Sequence, residues 1–474
     1  MFQRYRIVYS IVMVTIFYDF ETSSLSPVGH ILSYCLMVID ESNGALLEEC
    51  TGWVQPPQCE LPDLDALLVT GIRLPTLTQQ GLPEPAVAHR LYRFLASWIQ
   101  KEGSVTLCGY NSNRFDLRFL RSLFIRHGLN PYFYGKLKYK DVLHYVKHLA
   151  MTYPDFPWQT QDDHWTFSLE RMARAHGILH TPQSHDARAD VALTIQLCQT
   201  LSNTYPLSFT AFQPLSLPAA TVPLWITQHM GTPPHRYDWA YMAPVTWQKN
   251  TCVWVSVSSL SPPFPNTLEE WAPYLHALSL NTAWCHAFPA PPDAMAALAI
   301  PLHHLQSSPV IGQLSVEAYF SSRTDPSAPE QDIEYRLTRL PFDRIHTLYQ
   351  AIHHLTQHWD DAVSYLSHLH HAHPDVARLA LRYAMNHAPE PADPRLVRKR
   401  VAYLHYRHLS GEMDPRRTID TLRHDVVRAQ GLWCDPATPS AHRAVAHDYL
   451  TRVSELFPSG LDHVPFSRSL LDGP

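Results

Sequence analysis

Asp19 and Glu21 stand two residues apart in Tyr18-Asp19-Phe20-Glu21-Thr22, directly after an apolar run. In an extended strand side chains two positions apart share a face, so both carboxylates would point the same way. At ~4 Å and an effective dielectric of ~20 their repulsion is about 4 kcal/mol. Without a counter-ion one of them would take up a proton; a pair of oxygen-ligated Mg²⁺ or Mn²⁺ ions removes the penalty. Taken alone the pair is better read as part of a surface loop; its place after seven consecutive uncharged, strand-forming residues shifts the weighing toward a metal site. Two further acidic positions change the weighing. Asp116 closes Gly109-Tyr110-Asn111-Ser112-Asn113-Arg114-Phe115-Asp116, and Asp190 closes His185-Asp186-Ala187-Arg188-Ala189-Asp190. Each has a plainer reading at a helix start: Asp116 as a charge complementing the helix dipole, Ser184 or Asp186 as a cap. His185 and Asp190 are five apart, so a helix start would hold a carboxylate with an imidazole about one turn away.

The surrounding pattern supplies elements able to gather these groups. Val12–Tyr18 and Ile31–Ile39 are rich in β-branched and aromatic residues and read as strands. Asn43-Gly44 signals a hairpin, with Cys50–Val54 returning antiparallel. Val87, Leu91, Phe94, Leu95 and Trp98 give Ala86–Gln100 helical spacing. Val105–Tyr110 reads as a short strand, then Phe115–His127, Val142–Met151, Leu169–His176 and Ala187–Leu201 as helices. An antiparallel start followed by strand–helix crossovers predicts a mixed sheet flanked by helices, an α/β class.

Beyond Asn203 the helical pattern stops, and Pro and Ser mark a linker to about Pro223. Trp239–Trp247, Thr251–Ser256 and Val310–Leu314 read as strands of a small β-rich domain broken by proline clusters. From Phe342 the chain reads as helical: Ile345–Gln357, Ala362–Leu369, Ala377–Asn386, Arg395–Leu409, Thr418–Gln430 and Ala444–Phe457. Arg395–Arg428 is locally basic, and a solvated helix face and a phosphate contact fit it equally.

Composition fits this plan. The 474 residues exceed one ordinary core, and 45% hydrophobic residues exclude wholesale disorder. Forty prolines against 16 glycines favour stiff connections. A net charge of −6 excludes coating of nucleic acid by bulk positive charge, though not a local basic lining. The cysteines form no C-x-x-C pair, so structural zinc is not expected and free thiols in a reducing cytoplasm are. Arg4 and Arg6 before Ile7–Tyr18 mimic a secretory leader, but Asp19 and Glu21 follow where a small-residue cleavage site is needed. The run is also too short to span a membrane, and the residues before Met13 read as an extension outside the fold.

The ordered set is more specific than its parts. D-x-E after the first strand, Asn-x-x-x-Phe-Asp after a later one and His-x-x-x-x-Asp on the closing helix resemble the histidine-bearing branch of the DEDD 3′→5′ exonucleases. Thr70-Gly71-Ile72 is similar to a short turn of those domains. Ala243-Pro244-Val245-Thr246-Trp247, the strand Val253–Val257, and Arg398-Lys399-Arg400 with Tyr403, Tyr406 and Arg407 extend the likeness to the exodeoxyribonuclease I family. That resemblance implies an RNase H-like exonuclease domain (13–202), an SH3-like β-rich domain (203–355) and a helical C-terminal domain (356–474), closing as a clamp on single-stranded DNA. It implies that Asp19, Glu21, Asp116 and Asp190 hold two Mg²⁺ ions, Mn²⁺ being the alternative, and that His185 is the general base.

The same resemblance implies 5′-mononucleotide products, a cytoplasmic monomer without membrane association acting in DNA repair or recombination, and single-stranded DNA-binding protein as a partner. Substrate contacts are expected from Phe20, Thr22, Thr70, Gly71, Asn111, Arg114, Phe167 and Ser168. Ser168 stands where an arginine is expected. For Phe20, which points away from its two acidic neighbours, core packing is the plainer reading; Arg114 fits solvent and phosphate equally. Trp158 reads as a base-stacking ring or as core, and Leu67–Ile72 as a wedge at the terminal base or as packing. An RNA 3′-exonuclease of the same fold and a catalytically inactive single-strand clamp are the rival readings.

Overall fold

The computed structural model describes residues 14–181, 183, 185–213, 224–248, 251–279, 285–321, 340–389, 394–411 and 416–461. The extension before Met13, the candidate cap Ser184 and the later part of the linker, 214–223, lie outside the described residues. The chain divides into two compact units: Met1–Tyr139 with Gln183–Ala192 and Pro326–Pro474, and Lys140–Pro182 with Leu193–Asp325.

The first unit is built on a six-stranded mixed sheet. Its strands are β1 (Val14–Thr22), β2 (Ile31–Asp40), β3 (Leu46–Gln55), β4 (Leu82–Pro83), β5 (Val105–Gly109) and β6 (Leu137–Asp141), in the order β4-β3-β2-β1-β5-β6. β1 lies inside the sheet, antiparallel to β2 and parallel to β5. Helices α1 (Leu64–Thr70), α2 (Leu74–Gln80), α3 (Glu84–Glu102) and α4 (Asp116–Arg126) connect the strands, and α5 (Ala187–Thr204) carries the last acidic motif. Leu91, Leu95, Leu120 and Leu123 close one core over Ile16, Leu36 and Leu107. The hairpin after β2 turns where expected: Asn43 Oδ1 accepts from Ala45 N–H at 2.8 Å, and Gly44 adopts φ 73°.

Among the described residues six further helices belong to this unit: α6 (Phe342–Gln357), α7 (Ala362–Ala372), α8 (Pro374–His387), α9 (Pro394–His408), α10 (Ile419–Cys434) and α11 (Ser440–Leu456). They share a second core with α1 and α2, in which Leu64, Leu67 and Leu77 meet Leu348, Leu355, Tyr403 and Tyr449. A buried ion network joins them to the sheet. Glu60 accepts from Arg407 Nε at 2.7 Å and from Tyr403 Oη at 3.1 Å. His30 lies 2.9 Å from Glu60 through Nε2 and 2.9 Å from Glu84 through Nδ1. Arg126 pairs with Glu84, and Arg382 and Arg407 both donate to the Val28 carbonyl. Burial is the largest influence on Glu60 and Glu84 and would raise both, but the surrounding groups together outweigh it: Arg407, His30 and Arg382 for Glu60, and Arg126, His30 and His127 for Glu84. Both carboxylates stay well below their usual range. Glu84, His127 and His387 approach within 4.8 Å of one another, but the Arg126 guanidinium already supplies the cation for Glu84.

Much of the basic stretch also turns toward the segment around Glu60. Arg400 donates to Gln58, Arg417 to Asp63 and the Leu61 carbonyl, and Arg428 pairs with Asp65. These cations are bound to the chain's own acceptors, a use that neither expectation for the basic run included.

The second unit holds helices Val142–Thr152 and Leu169–Ala175, a hairpin Gln159–Gln161/His164–Thr166, and a five-stranded antiparallel sheet. That sheet runs in the order Leu275–Ser279, Thr251–Ser256, Tyr237–Gln248, Trp225–Met230 and Cys285–Pro289, in keeping with an SH3-like reading. One expected strand is overturned: Val310–Leu314 is not extended, and Pro309–Gly312 is a helical turn. Ser308 caps it by accepting from Ile311 N–H, and Pro309 at its first position is preorganised for a helix. Six cysteines are buried free thiols and Cys434 is an exposed one among the described residues. No helix among those residues is long and apolar enough to cross a membrane.

Candidate metal centre and active site

β1 extends past the predicted Tyr18 to Thr22, so the D-x-E pair lies within the strand. Asp19 sits opposite Cys35 and Glu21 opposite Ser33, while Tyr18 and Phe20 turn to the other face as strand alternation requires. Phe20 is buried in the core, its ring 5.4 Å from that of Tyr18 in an edge-on contact.

Asp116 reaches the pair through a tight passage. A Cβ on Gly109 would lie 2.5 Å from the Tyr18 carbonyl oxygen and 2.7 Å from Ser112 Cβ, so only glycine lets β5 end this close to β1. The chain then turns through Asn111 at φ 58°, a conformation asparagine tolerates better than most residues. Asp116 opens α4, is buried, and accepts from Phe20 N–H at 3.1 Å. It is thereby tied to the residue between Asp19 and Glu21.

Asp190 is presented by the first turn of α5. Of the two cap candidates, Asp186 is seen in the role, accepting from Ala189 N–H at 3.0 Å. Gln183 Nε2 donates to Asp190 Oδ2 at 2.7 Å. His185 is exposed, with φ 48°, a backbone that costs a non-glycine residue about 1–3 kcal/mol.

One oxygen each from Asp19, Glu21 and Asp190 lies within 4.8 Å of the others. The electrostatics express the crowding. Burial, then the charges of Asp116, Asp190 and Asp186, push Asp19 well above the usual carboxylate range. Burial, then Asp19, Asp190 and Asp186, push Glu21 up to about 9. Burial also raises Asp190, against the Gln183 hydrogen bond and the His185 imidazole. A hard divalent cation suits this all-carboxylate set, because it replaces the protons that the crowded oxygens otherwise retain.

Asp186, read from the sequence only as a cap, also adds repulsion to all three carboxylates; its i,i+4 spacing to Asp190 was the available signal. Gln183 escaped the sequence reading and had no such signal.

A cavity of about 760 Å³ opens beside Glu21. Phe20, Thr22, Thr70 and Phe115 line it together with His424 and Asp425 of α10. The Thr70-Gly71-Ile72 turn is the C-cap of α1: Gly71 takes φ 67°, and Thr70 Oγ1 donates to the Ala66 carbonyl at 2.8 Å. Leu67 and Ile72 are packed in the core, which leaves Val69 as the exposed apolar residue of the expected wedge. Gly71, Asn111 and Arg114 are exposed. In the other unit Phe167 is buried beside Trp158, ring centroids 5.3 Å apart, and Ser168 is exposed at the start of a helix. Trp158, half-buried, also donates to the Ala150 carbonyl.

A mixed sheet that gathers carboxylates from β1 and from the first turns of α4 and α5 is an RNase H-like arrangement. No family model matches the chain. Its sequence is 27% identical to exodeoxyribonuclease I of Haemophilus influenzae over 277 residues, 55% of this chain and 57% of the relative. It is 25% identical to that of Buchnera aphidicola subsp. Baizongia pistaciae over 262 residues, 51% of this chain and 52% of the relative. The chain thus spans little more than half the length of these curated relatives. The fold match is wider. The E. coli exonuclease I structure in complex with a dT13 oligonucleotide aligns over 94% of this chain and all of that one, with a TM-score of 0.70 and 18% identity. The moderately thermophilic exonuclease I of Methylocaldum szegediense aligns over 94% of this chain and 99% of that one, with a TM-score of 0.66 and 19% identity. The chain is thus similar in sequence to exodeoxyribonuclease I enzymes over about half its length, and it shares the fold of exonuclease I structures over most of it.

Proposed function

We propose that this chain is a divalent-metal-dependent 3′→5′ exonuclease that degrades single-stranded DNA to 5′-mononucleotides. The observation that carries the reading is the convergence of Asp19, Glu21 and Asp190 within 4.8 Å, with Asp116 bonded to the residue between the first two. The oligonucleotide complexes of E. coli exonuclease I supply the substrate class.

In this reading Asp19, Glu21, Asp116 and Asp190 hold two Mg²⁺ ions, with Mn²⁺ a competent substitute. Bound there, the ions supply Lewis acidity at the phosphoryl oxygens and ease ionisation of water. His185 takes the proton from the attacking water, a general-base role that an imidazole commonly fills. Its exposed place just before α5 leaves the ring outside the tight carboxylate group and able to meet water. A P–O bond forms to the water oxygen and the bond to the 3′-oxygen of the preceding nucleotide breaks.

The cavity beside Glu21 receives the terminal nucleotide, with Phe20, Thr22 and Thr70 among the residues that line it. Gly71, Asn111, Arg114, Phe167 and Ser168 are kept as proposed substrate contacts. We also keep the three-domain division at 202/203 and 355/356, monomeric action in the cytoplasm in repair or recombination, and single-stranded DNA-binding protein as a partner.

The test is release of mononucleotides from 3′-labelled strands. We expect Mg²⁺-dependent release from single-stranded DNA, abolished by chelator and much slower from RNA of the same sequence, where each sugar adds a 2′-hydroxyl. Faster digestion of RNA would move the assignment to the RNA 3′-exonuclease, and binding without any release to the inactive clamp.

A further inference from the structure

Within the first unit, away from the carboxylates, a group of aromatic rings is held out from the core. The turn between α4 and β6 passes through Phe133 and Tyr134, both non-glycine residues with positive φ, 45° and 53°. This is a strained backbone for residues bearing a Cβ. It sends the two rings apart: Phe133 is buried and stacked on Tyr92 at 4.8 Å, while Tyr134 is 76% exposed. The Tyr134 ring meets Phe342, the half-exposed first residue of α6, with centroids 5.8 Å apart at 59°.

The neighbouring charges are positive. The Arg121 guanidinium lies 5.9 Å from the centroid of the exposed Tyr132 ring and 5.1 Å from that of Tyr139, and its Nε is buried without a hydrogen-bond partner. Lys136, just before β6, and Lys138, within it, are both exposed on either side of buried Leu137. Asp343, next to Phe342, has Arg344 within 4.0 Å.

Isolated exposed rings are ordinary on protein surfaces. Rings gathered with an arginine and two lysines match single-stranded nucleic acid, whose bases stack on aromatic faces while its phosphates meet the cations. An acidic peptide would use the cations but has no need of open ring faces. We infer that Tyr134 and Phe342, with Arg121, Lys136 and Lys138, form an accessory stacking platform for single-stranded nucleic acid, distinct from the cavity beside Glu21. The inference rests on the proposed function for its ligand class. The Lys136 carbonyl accepts from Val105 N–H at the start of β5, whereas the carboxylates gather at that strand's other end, so a strand that reaches both places is several nucleotides longer than one held at the carboxylates alone.

The test is equilibrium binding of 5′-fluorescein-labelled dT20 and dT5 to the full chain in chelator, where hydrolysis does not intervene. In the double variant Tyr134→Ser/Phe342→Ser we expect the dT20 Kd to rise about fivefold or more and the dT5 Kd to stay within about twofold. Tyr134→Trp should keep dT20 affinity, because it keeps a ring. Lys136→Gln/Lys138→Gln should flatten the salt dependence of dT20 binding. Unchanged dT20 affinity in the double serine variant, or equal loss for both lengths, overturns the platform. So does loss of binding to a short peptide of Asp and Phe residues while dT20 binding is intact, which would assign the surface to a protein partner. If the wild-type chain releases no mononucleotides with Mg²⁺, the exonuclease reading falls, and the chelator titration still decides the platform independently.

Discussion

Protons held by Asp19, Glu21 and Asp190 set the pH behaviour of the metal-free protein. The Glu21 carboxyl, pushed up to about 9 in the fold, stays protonated where an unfolded chain has already ionised it. Between about pH 4.5 and pH 9 the unfolded state therefore binds fewer protons, and stability falls as pH rises through that window. We expect chelated protein to melt at a lower temperature at pH 9 than at pH 6, the gap narrowing when Mg²⁺ is added. Titration calorimetry in buffers of different ionisation enthalpy should record proton release on Mg²⁺ binding. Asp116→Asn keeps the acceptor for Phe20 N–H but removes a charge. It should cut mononucleotide release by about 10²–10⁴-fold while leaving the chelated protein at least as stable. The D-x-E pair was legible because strand period alone aligns two carboxylates. Asp116 and Asp190 were legible only as members of an ordered set, since each also suits a helix start. Gln183 was not legible, because a bond across a loop has no spacing rule.

Regular elements showed in the sequence wherever their period was long. The helices at Glu84–Glu102 and Ser440–Leu456 and the strands at Ile31–Asp40 and Thr251–Ser256 match the apolar spacing that predicts them. The short helices α1 and α2 went unread, since seven residues give one face too few positions to show a period. Pro309–Gly312 was misread because a brief apolar run does not separate helix from strand; the capping Ser308 was the deciding signal. At this scale Gly109 is the most constrained junction. Gly109→Ala places a Cβ against Tyr18 and Ser112, and we expect a loss of about 1–3 kcal/mol in urea unfolding. A fall in activity should accompany it, because the same displacement moves Asp116 away from β1.

Taken as a whole, the first unit ties its C-terminal helices to its sheet through charges that pattern analysis cannot pair. A run such as Arg398-Lys399-Arg400 displays its cations but not their partners, and Arg400, Arg407, Arg417 and Arg428 are directed at Gln58, Glu60, Asp63 and Asp65. Glu60→Ala leaves Arg407 and Arg382 buried without their carboxylate and should cost about 3–5 kcal/mol in urea unfolding. Because Glu60 and Glu84 are held well below their usual range, their contribution is present above about pH 4.5 and is lost as pH falls through the folded values. Acid should therefore loosen this network, the opposite sense to the carboxylate centre.

The central claim is that four acidic residues from three separate elements hold a pair of divalent ions. Equilibrium Mn²⁺ binding, counted by electron paramagnetic resonance on wild-type and Asp19→Asn protein of verified fold, tests it most directly. We expect two ions per wild-type chain and at most one in the variant, with mononucleotide release lost in parallel. Unchanged Mn²⁺ stoichiometry in Asp19→Asn, with activity retained, would contradict the account.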